Sequence, residues 1–260
     1  LANFKAGDDA KLGLDYETLK ALNPKLIYGS ITGFGPNDSR TAFDVVLQAE
    51  AGLMYMNGTP ESGPVKWPVA VVDLMAAHQL KEGILLALLQ RERTGQGAKV
   101  SVSLYDAAVA SLANQATNWL MAGHIPQRLG SLHPNIAPYG ETLTCADGGQ
   151  IVLAVGSNAQ FENLCKTLDT TTLPSDQLYS TNSQRVVNRV SLLDALQQAA
   201  ATWQRDELLA ALLAAQVPAG AIRNMQEVFE QPSAKILINK ETIAGVETQR
   251  PATAVFTITH

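Results

Sequence analysis

The sequence predicts an α/β protein, with a larger α/β domain over residues 1–127 followed by a smaller α+β domain over residues 128–230. In the first half, strand-like stretches alternate with stretches of helical apolar spacing, which is typical of a sheet with helical crossovers. Near residue 125 the chain becomes rich in Pro and Gly, and beyond it two strand-like runs flank a tight turn. The change in character predicts a second domain.

Six elements are predicted in the larger domain. The helices cover residues 15–22, 42–54, 73–93 and 107–122, and the strands cover residues 25–31 and 98–106. We expect Asp106 to cap the last helix, as Asp commonly does. The long helix over residues 73–93 is predicted to be amphipathic. Its expected apolar face consists of Leu74, Ala77, Ile84, Leu85 and Leu88.

The smaller domain is predicted to begin with a hairpin around Asp147-Gly148-Gly149. Ser157 is then placed to cap a helix that runs to about Leu168. Further helices are predicted over residues 183–202 and 206–215, with a strand or loop at VPAGAI, a short helix at MQEVFEQ and a strand-like tail from Ala234.

Composition excludes several classes of protein. The 260 residues are 46% apolar and 17% charged, which is typical of a well-buried globular protein. A net charge of −5 and the absence of a dense Lys/Arg run argue against nucleic-acid and membrane-surface binding. Cys145 and Cys165 lack the spacing of a zinc site or disulfide framework and fit a reducing, cytoplasmic location. No apolar run reaches membrane-spanning length.

Asp73 stands out because a carboxylate interrupts the apolar stretch PVAVVDLMAAHQL, residues 68–80. One interpretation is a helix N-cap that accepts hydrogen bonds from the first free backbone N–H groups. The other is a nucleophile, because apolar neighbours reduce the hydration of the anion. The two interpretations remain open, and one carboxylate can serve both roles.

The remaining candidates carry weaker signals. His78 is interpreted as a structural or surface residue, and a single loop histidine such as His124 or His133 points to no particular chemistry. The Gly33-Phe34-Gly35 stretch is too short for a dinucleotide fingerprint and predicts a turn. No spacing of ligand residues predicts a metal site.

Several segments together resemble family III CoA-transferases, the group of formyl-CoA transferase and carnitine CoA-transferase (CaiB/BaiF family). The resemblance spans most of the chain in the right order. It rests on residues 2–35, 42–54, Asp73 with residues 83–114, HPNIAPYG at 133–140 and VPAGAI at 217–222.

The resemblance implies CoA transfer from an acyl-CoA donor to a small free carboxylic acid. Asp73 falls at the position of the family's nucleophile, which forms an aspartyl anhydride and then an aspartyl-CoA thioester. Coenzyme A is then a co-substrate, and no permanently bound cofactor is expected. Oxyanion donors are expected from the Gly-containing backbone over residues 130–140.

The resemblance also implies the binding residues. The family's CoA-lining positions match Asn3, Phe4, Lys5, Lys11, Thr41, Ala42, Phe43 and Asp44, and substrate contacts are expected at His133, Tyr139 and Gly140. Lys5 replaces an Arg, so the charge is kept and the fork geometry is lost. Formyl-CoA transferase has a Lys and a Tyr where Thr41 and Phe43 stand, which argues against formyl and oxalate specificity.

The family fold is a Rossmann-like large domain, a small domain and a C-terminal return, in a homodimer of interlocked chains. Residues 1–127 then belong to an incomplete CoA-binding domain, and residues 231–260 begin the return. The chain starts without Met and ends in a strand-like run, so the sequence predicts a fragment of a longer protein.

Two alternatives stay open. The first is an acyl-CoA racemase or epimerase of the same family, in which a His of a GHD motif exchanges the α-proton. Here Ala42-Phe43-Asp44 stands in that place, and Phe cannot move a proton. The second is a non-catalytic acyl-CoA-binding fragment in which Asp73 only caps a helix.

Overall fold

The computed structural model describes residues 1–5 and 7–259, and the chain divides into two compact units, Leu1–Gly130 and Ser131–His260. Both units combine helices with small sheets, so the predicted α/β class is confirmed. The predicted start of the small domain at residue 128 lies close to this division. The assignment of residues 231–260 to a C-terminal return stays a prediction.

Unit 1 has one small sheet surrounded by helices. Its helices are α1 (Asp8–Lys11), α2 (Tyr16–Leu22), α3 (Asp44–Glu50), α4 (Leu53–Met56), α5 (Val71–Thr94), α6 (Leu104–Ala110) and α7 (Ala113–Ala122). Its strands are β1 (Ile27–Thr32) and β2 (Ala98–Ser103). The strands pair in parallel from Ile27↔Ala98 to Thr32↔Ser103, and Ala2 bridges Ser30. The predicted strand–helix–strand arrangement is therefore confirmed.

Helix α5 is the crossover that packs on this sheet. Gly83 lies where the helix meets β2, and a Cβ atom there would overlap Cγ1 of Val100. Glycine inside a helix costs about 1 kcal/mol relative to Ala. Glycine is nevertheless required at this position, because the backbone of the helix approaches the strand so closely.

The predicted apolar face of α5 is wrong in part. Leu74 and Leu85 are 51% and 59% exposed. The helix is apolar on several sides, so its periodicity does not single out the face that the sheet covers. The residues that α5 buries are Val72, Ala76, Leu80 and Ala87.

Two predicted helices are each broken into two. The one over residues 42–54 breaks at Gly52, which has a φ of 81°. The one over residues 107–122 begins earlier, at Leu104, and breaks before Ala113. The prediction that Asp106 caps it is wrong. Ser103 is the cap, because its Oγ accepts a hydrogen bond from the backbone N–H of Asp106 at 2.9 Å.

Unit 2 consists of helices packed on an antiparallel sheet, with a separate hairpin near its end. Its strands are β3 (Tyr139–Thr144), β4 (Gln150–Ala154), β5 (Ala219–Ile222), β6 (Ile238–Ile243) and β7 (Val246–Pro251). Its helices are α8 (Asn158–Thr167), α9 (Asn182–Val187), α10 (Arg189–Ala200), α11 (Arg205–Ala214), α12 (Met225–Glu230) and α13 (Pro232–Lys235), with a 3-10 turn at Leu173–Ser175. The first sheet has the order β3-β4-β5.

Most predictions for unit 2 are confirmed. The hairpin turns at residues 145–149, and VPAGAI contributes β5. Ser157 caps α8 in a capping box with Gln160. The prediction of one helix over 183–202 is wrong, because Asn188 separates α9 from α10. The tail also differs, since α13 precedes its strands. No helix in the described part of the chain is long and apolar enough to cross a membrane.

Candidate active site

A cleft of about 520 Å³ opens in unit 1 beside the carboxyl end of β1 and the start of α5. Ligands of open α/β sheets bind at the carboxyl ends of strands. Eight residues singled out from the sequence line this cleft together: Asn3, Phe4, Lys5, Thr41, Ala42, Phe43, Asp44 and Asp73. They come from three segments that are far apart in the chain.

Four predicted residues lie elsewhere. Lys11 is on α1, where its Nζ forms an exposed ion pair with Asp8 at 2.8 Å, and it does not line the cleft. His133, Tyr139 and Gly140 belong to unit 2. The structure thus gathers the N-terminal candidates and Asp73 into one cleft and leaves Lys11 outside it.

Asp73 occupies the third position of α5, and its exposed side chain faces the cleft. The interpretation of Asp73 as the N-cap is wrong. The helix begins two residues earlier than predicted, with Ala70 at the N-cap position and no capping hydrogen bond from the helix's own side chains. The Asp73 carboxylate is therefore not occupied by capping.

The cap of α5 comes from another helix. Oδ1 of Asp44, the first residue of α3, accepts hydrogen bonds from the backbone N–H groups of Val72 at 2.8 Å and Asp73 at 3.3 Å. These second and third N–H groups are the ones that an ordinary N-cap side chain would satisfy. Asp44 thereby fixes the backbone that carries Asp73.

Sequence reasoning missed Gln48, which completes this arrangement. Its side chain is 0% exposed. Its Nε2 donates to Oδ2 of Asp44, and its Oε1 accepts from the backbone N–H of Trp67 at 2.8 Å. The signal was a Gln four residues after an Asp on a predicted helix, a spacing at which side chains meet.

The surroundings of Asp73 raise the pKa of its carboxyl above the usual range. The larger cause is the loss of hydration beside the protein surface, and the smaller is the negative charge of Asp44. Both disfavour the anion. A more basic carboxylate is a stronger nucleophile once it is ionised.

The cleft also holds two cationic side chains. Nζ of Lys5 lies 3.2 Å from Oγ1 of Thr41. Arg40, which sequence reasoning missed, lies over the ring of Phe34 at 3.6 Å and pairs with Asp38. The turn after β1 requires glycine at position 33, because a Cβ atom there would overlap the Cβ of Ala42. The carboxylates of Asp38, Asp44 and Asp73 line the same cleft, so these two cations do not give it a net positive charge.

In unit 2, the predicted substrate segment is held by an arginine. Nη2 of Arg189 donates to the backbone oxygens of His133 and Ile136, each at 2.6 Å. Its Nε lies 3.0 Å from Oε1 of the buried Glu141, an ion pair without hydrogen-bond alignment. Burial raises the pKa of Glu141 and outweighs the opposing charge of Arg189. The rings of His133 and Tyr139 meet edge to face at 5.3 Å.

The described residues offer few groups for catalysis by histidine, a metal ion or a thiol. No histidine lines the cleft beside Asp73, and no cluster of three His, Cys, Asp or Glu residues could hold a metal ion. Cys145 and Cys165 are free and buried in unit 2, and burial raises the pKa of Cys165 to about 11. A thiol of such low acidity is a poor nucleophile at neutral pH.

The chain belongs to CoA-transferase family III, whose family model matches residues 1–257. This finding confirms the family expected from the sequence segments. The chain is 40% identical over 235 residues to the succinate–glutarate CoA-transferase of Agrobacterium fabrum, a match that covers 89% of this chain and 58% of the relative. It is 34% identical over 233 residues to the human succinyl-CoA:glutarate CoA-transferase, covering 88% of this chain and 53% of the relative.

A solved structure has the same fold. The chain resembles a CaiB/BaiF family protein from Brucella suis with a TM-score of 0.85 and 41% sequence identity, over 98% of this chain and 68% of that structure. The chain therefore spans a little more than half of the length of these two curated relatives and about two thirds of the solved structure.

Proposed function

We propose that the protein containing this chain transfers CoA from an acyl-CoA donor to a free carboxylic acid, with Asp73 as the nucleophile. The observation that carries the proposal is an aspartate side chain, free of capping bonds, that faces a cleft lined by the residues expected to bind CoA. The relatives named above act on succinate and glutarate. We therefore propose small dicarboxylates as the acids, with coenzyme A as co-substrate.

The first half-reaction charges Asp73. A carboxylate oxygen attacks the thioester carbonyl carbon, the C–S bond breaks, and the CoA thiolate leaves behind a mixed anhydride. The thiolate then attacks the aspartyl carbonyl of that anhydride and releases the donor acid as its carboxylate. The product is an aspartyl-CoA thioester. No proton, water or electron is consumed.

The second half-reaction runs through the same bonds in reverse with the acceptor. Its carboxylate attacks the aspartyl thioester, the thiolate leaves, and a second anhydride forms. The thiolate then attacks the acceptor's carbonyl, which gives the new acyl-CoA and restores the Asp73 carboxylate. Because an anhydride preserves the energy of the thioester, no nucleotide triphosphate is required.

The binding roles follow from position and charge. We assign Asn3, Phe4, Lys5, Thr41, Ala42, Phe43 and Asp44 to CoA contacts near the reacting centre, and add Arg40 as a second cation beside Lys5. We place Lys11 at the edge of CoA binding, because its ion pair with Asp8 leaves it outside the cleft. His133, Tyr139 and Gly140 are proposed to contact the substrate acid.

Assembly and location are part of the proposal. An acyl anhydride is destroyed by water, so the working cleft must close. Unit 1 exposes large apolar side chains, and such surfaces mark interaction sites. We propose that an interlocked homodimer of the full-length protein covers them and that the protein works in the cytoplasm. They include Leu86, Trp119, Leu120 and Met121.

The racemase alternative makes a different prediction. Proton exchange at the α-carbon needs a second acid or base beside Asp73, and Phe43 stands where the related racemases have histidine. A racemase would exchange deuterium from solvent into an acyl-CoA in the absence of any acceptor acid. A transferase would exchange none and would require the acceptor.

Asp73→Asn in the full-length protein tests the proposal. An amide cannot form the anhydride, so transfer of CoA from succinyl-CoA to glutarate should fall more than about 1,000-fold. Asp194→Asn is the control, because Asp194 is an exposed aspartate on α10 of unit 2 and does not line the cleft. If Asp73→Asn keeps its activity, Asp73 is not the nucleophile.

A further inference from the structure

Gln48 is a polar side chain in an unusual place. It lies on α3, next to the buried Leu47, and is itself fully buried. Burying an amide without hydrogen bonds destabilises the folded protein, so such a group is retained only where its hydrogen bonds are made. The hydrogen-bond partners of Gln48 therefore indicate its role.

The two ends of this amide join two segments. Nε2 donates to Asp44 on the same helix and lies 3.5 Å from the carbonyl oxygen of Val69. Oε1 accepts from the N–H of Trp67. Trp67 and Val69 belong to the segment that leads into α5. Gln48 thus connects α3 to the chain that immediately precedes Asp73.

Little else holds that leading segment. Every residue from Pro64 to Ala70 has an exposed side chain, and Trp67 is 51% exposed. Among the described contacts, the backbone N–H of Val65 donates to the oxygen of Asn57, that of Val71 to Val69 and that of Leu74 to Ala70. The side chain of Asn57 also donates to the oxygen of Val65 at 2.9 Å. The Gln48 amide is the buried anchor of the segment.

The same amide also orients the Asp44 carboxylate. Because Oδ2 is engaged by Gln48, Oδ1 is directed at the N–H groups of Val72 and Asp73. The backbone of Asp73 is thereby fixed from two sides, through the leading segment and through the cap. Both constraints meet at one side chain.

We propose that Gln48 is a positioning residue for CoA transfer, which holds the Asp73 carboxylate in line with the thioester through Asp44 and the segment over residues 64–70. This inference rests on the proposed function. Gln48 does not line the cleft. Its effect is therefore on orientation, and a displacement of the reacting atoms by about 1 Å can cost about 100-fold in rate.

The first test is Gln48→Leu, which keeps the volume and removes both hydrogen bonds. We expect kcat for transfer from succinyl-CoA to glutarate to fall about 100-fold while KM for the acyl-CoA changes less than about 3-fold, because Gln48 itself does not line the cleft. An unchanged kcat would overturn the proposal, whether or not KM rises.

The second test exchanges the two hydrogen-bonding groups. In Asp44→Asn, the new amide N–H faces another donor, either the amide N–H of Gln48 or the N–H groups at the start of α5. In Gln48→Glu, two carboxylates face each other and neither can donate. In the double variant the hydrogen bond between positions 44 and 48 is restored in the reverse direction. The new amide at position 44 donates to position 48 and accepts from Val72, while the new carboxylate at position 48 accepts from Trp67. Each single variant should lose about 10- to 100-fold in kcat, and the double variant should recover to within about 10-fold of wild type.

The rescue distinguishes positioning from a general loss of structure. Thermal unfolding of wild type and of each variant shows which proteins are folded. The double variant remains informative if Gln48→Leu does not fold. A folded double variant no more active than the singles would contradict the proposal. Failure of the proposed function would look different, since wild type would then transfer no CoA or Asp73→Asn would remain active.

Discussion

The two units of the chain achieve order in different ways. Unit 2 has one continuous core between its sheet and helices, whereas the cluster beside the cleft in unit 1 has only a few buried members, among them Leu47 and Val72. The core of unit 2 includes Leu143, Ile151, Leu153, Phe161, Leu164, Leu192, Leu196, Leu208 and Leu212. Unit 2 is thus stabilised by its own interior. Unit 1 has the Asp73 carboxylate at the edge of a thin core, where a few polar contacts determine its position.

The polar contacts differ in kind as well. In unit 2 the predicted substrate segment is held by the charged pair of Arg189 and Glu141, both largely buried. In unit 1 the start of α5 is held by Asp44 and the neutral amide of Gln48. A buried pair leaves an uncompensated charge when one partner is removed, whereas a lost cap costs much less. The same kind of substitution should therefore have unequal effects in the two units.

The largest effect is expected from Arg189→Ala. It leaves Glu141 buried without its cation and two backbone oxygens without their donor, so the free energy of unfolding should fall by about 3–5 kcal/mol. Arg250→Ala is the control, because its pair with Glu241 is exposed and should contribute at most about 1 kcal/mol. Urea unfolding measures both. Equal effects of the two variants would show that burial of the Arg189–Glu141 pair adds nothing to the stability of unit 2.

A matched pair of leucines tests the difference in packing. Leu196 is fully buried in unit 2, and Leu196→Ala should reduce the free energy of unfolding by about 2–5 kcal/mol. Leu85 is largely exposed on α5, and Leu85→Ala should change the stability of unit 1 by less than about 0.5 kcal/mol. Hydrogen exchange of peptides from each unit separates the two effects. A large loss for Leu85→Ala would show that its face is covered in the full-length protein.

A smaller effect is expected from the cap of α5. Asp44→Ala removes the acceptor for two helix N–H groups and should lower the free energy of unfolding by about 1–2 kcal/mol. Asp15→Ala removes the cap of α2, where the carboxylate accepts from Thr18, and should cost a similar amount. Transferase assays should separate the two, with a large loss only for Asp44→Ala. Equal activities would show that the cap has no bearing on Asp73.

The smallest effect is a pH dependence of stability at Asp73. Its pKa is raised in the folded protein, so the unfolded chain releases this proton first as the pH rises above the usual aspartate value of about 3.9. The folded state then binds more protons than the unfolded state, and the unfolding free energy falls slightly until the raised pKa is passed. Asp73→Asn lacks this step. Compared by urea unfolding across acidic pH, the variant should gain slightly on wild type as the pH rises, and an opposite trend would mean a lowered pKa.

Much of this arrangement could be predicted from the sequence, and the reasons for the failures are specific. Periodicity and turn residues located the strands, the hairpin and the cap at Ser157, because these depend on residues close in the chain. Asp106 was misassigned because Ser103, three residues earlier, is an equally good cap.

The candidate site was likewise predicted only in part. The segments around Asn3, Thr41 and Asp73 were identified from the family resemblance, and the structure brings them into one cleft. Gln48 and the cap from Asp44 to α5 were not foreseen. They join residues 19 and 28 positions apart, and no local pattern predicts which distant N–H a buried side chain will meet.

The most direct test of the account is chemical trapping of the intermediate. The full-length protein is incubated with succinyl-CoA and then with hydroxylamine, which attacks an activated aspartyl group to give a hydroxamate. Mass spectrometry of the peptide over residues 68–81 should find that modification on Asp73, only when acyl-CoA was present. An unmodified Asp73 in an enzyme that is turning over, or a hydroxamate on another carboxylate, would contradict the account.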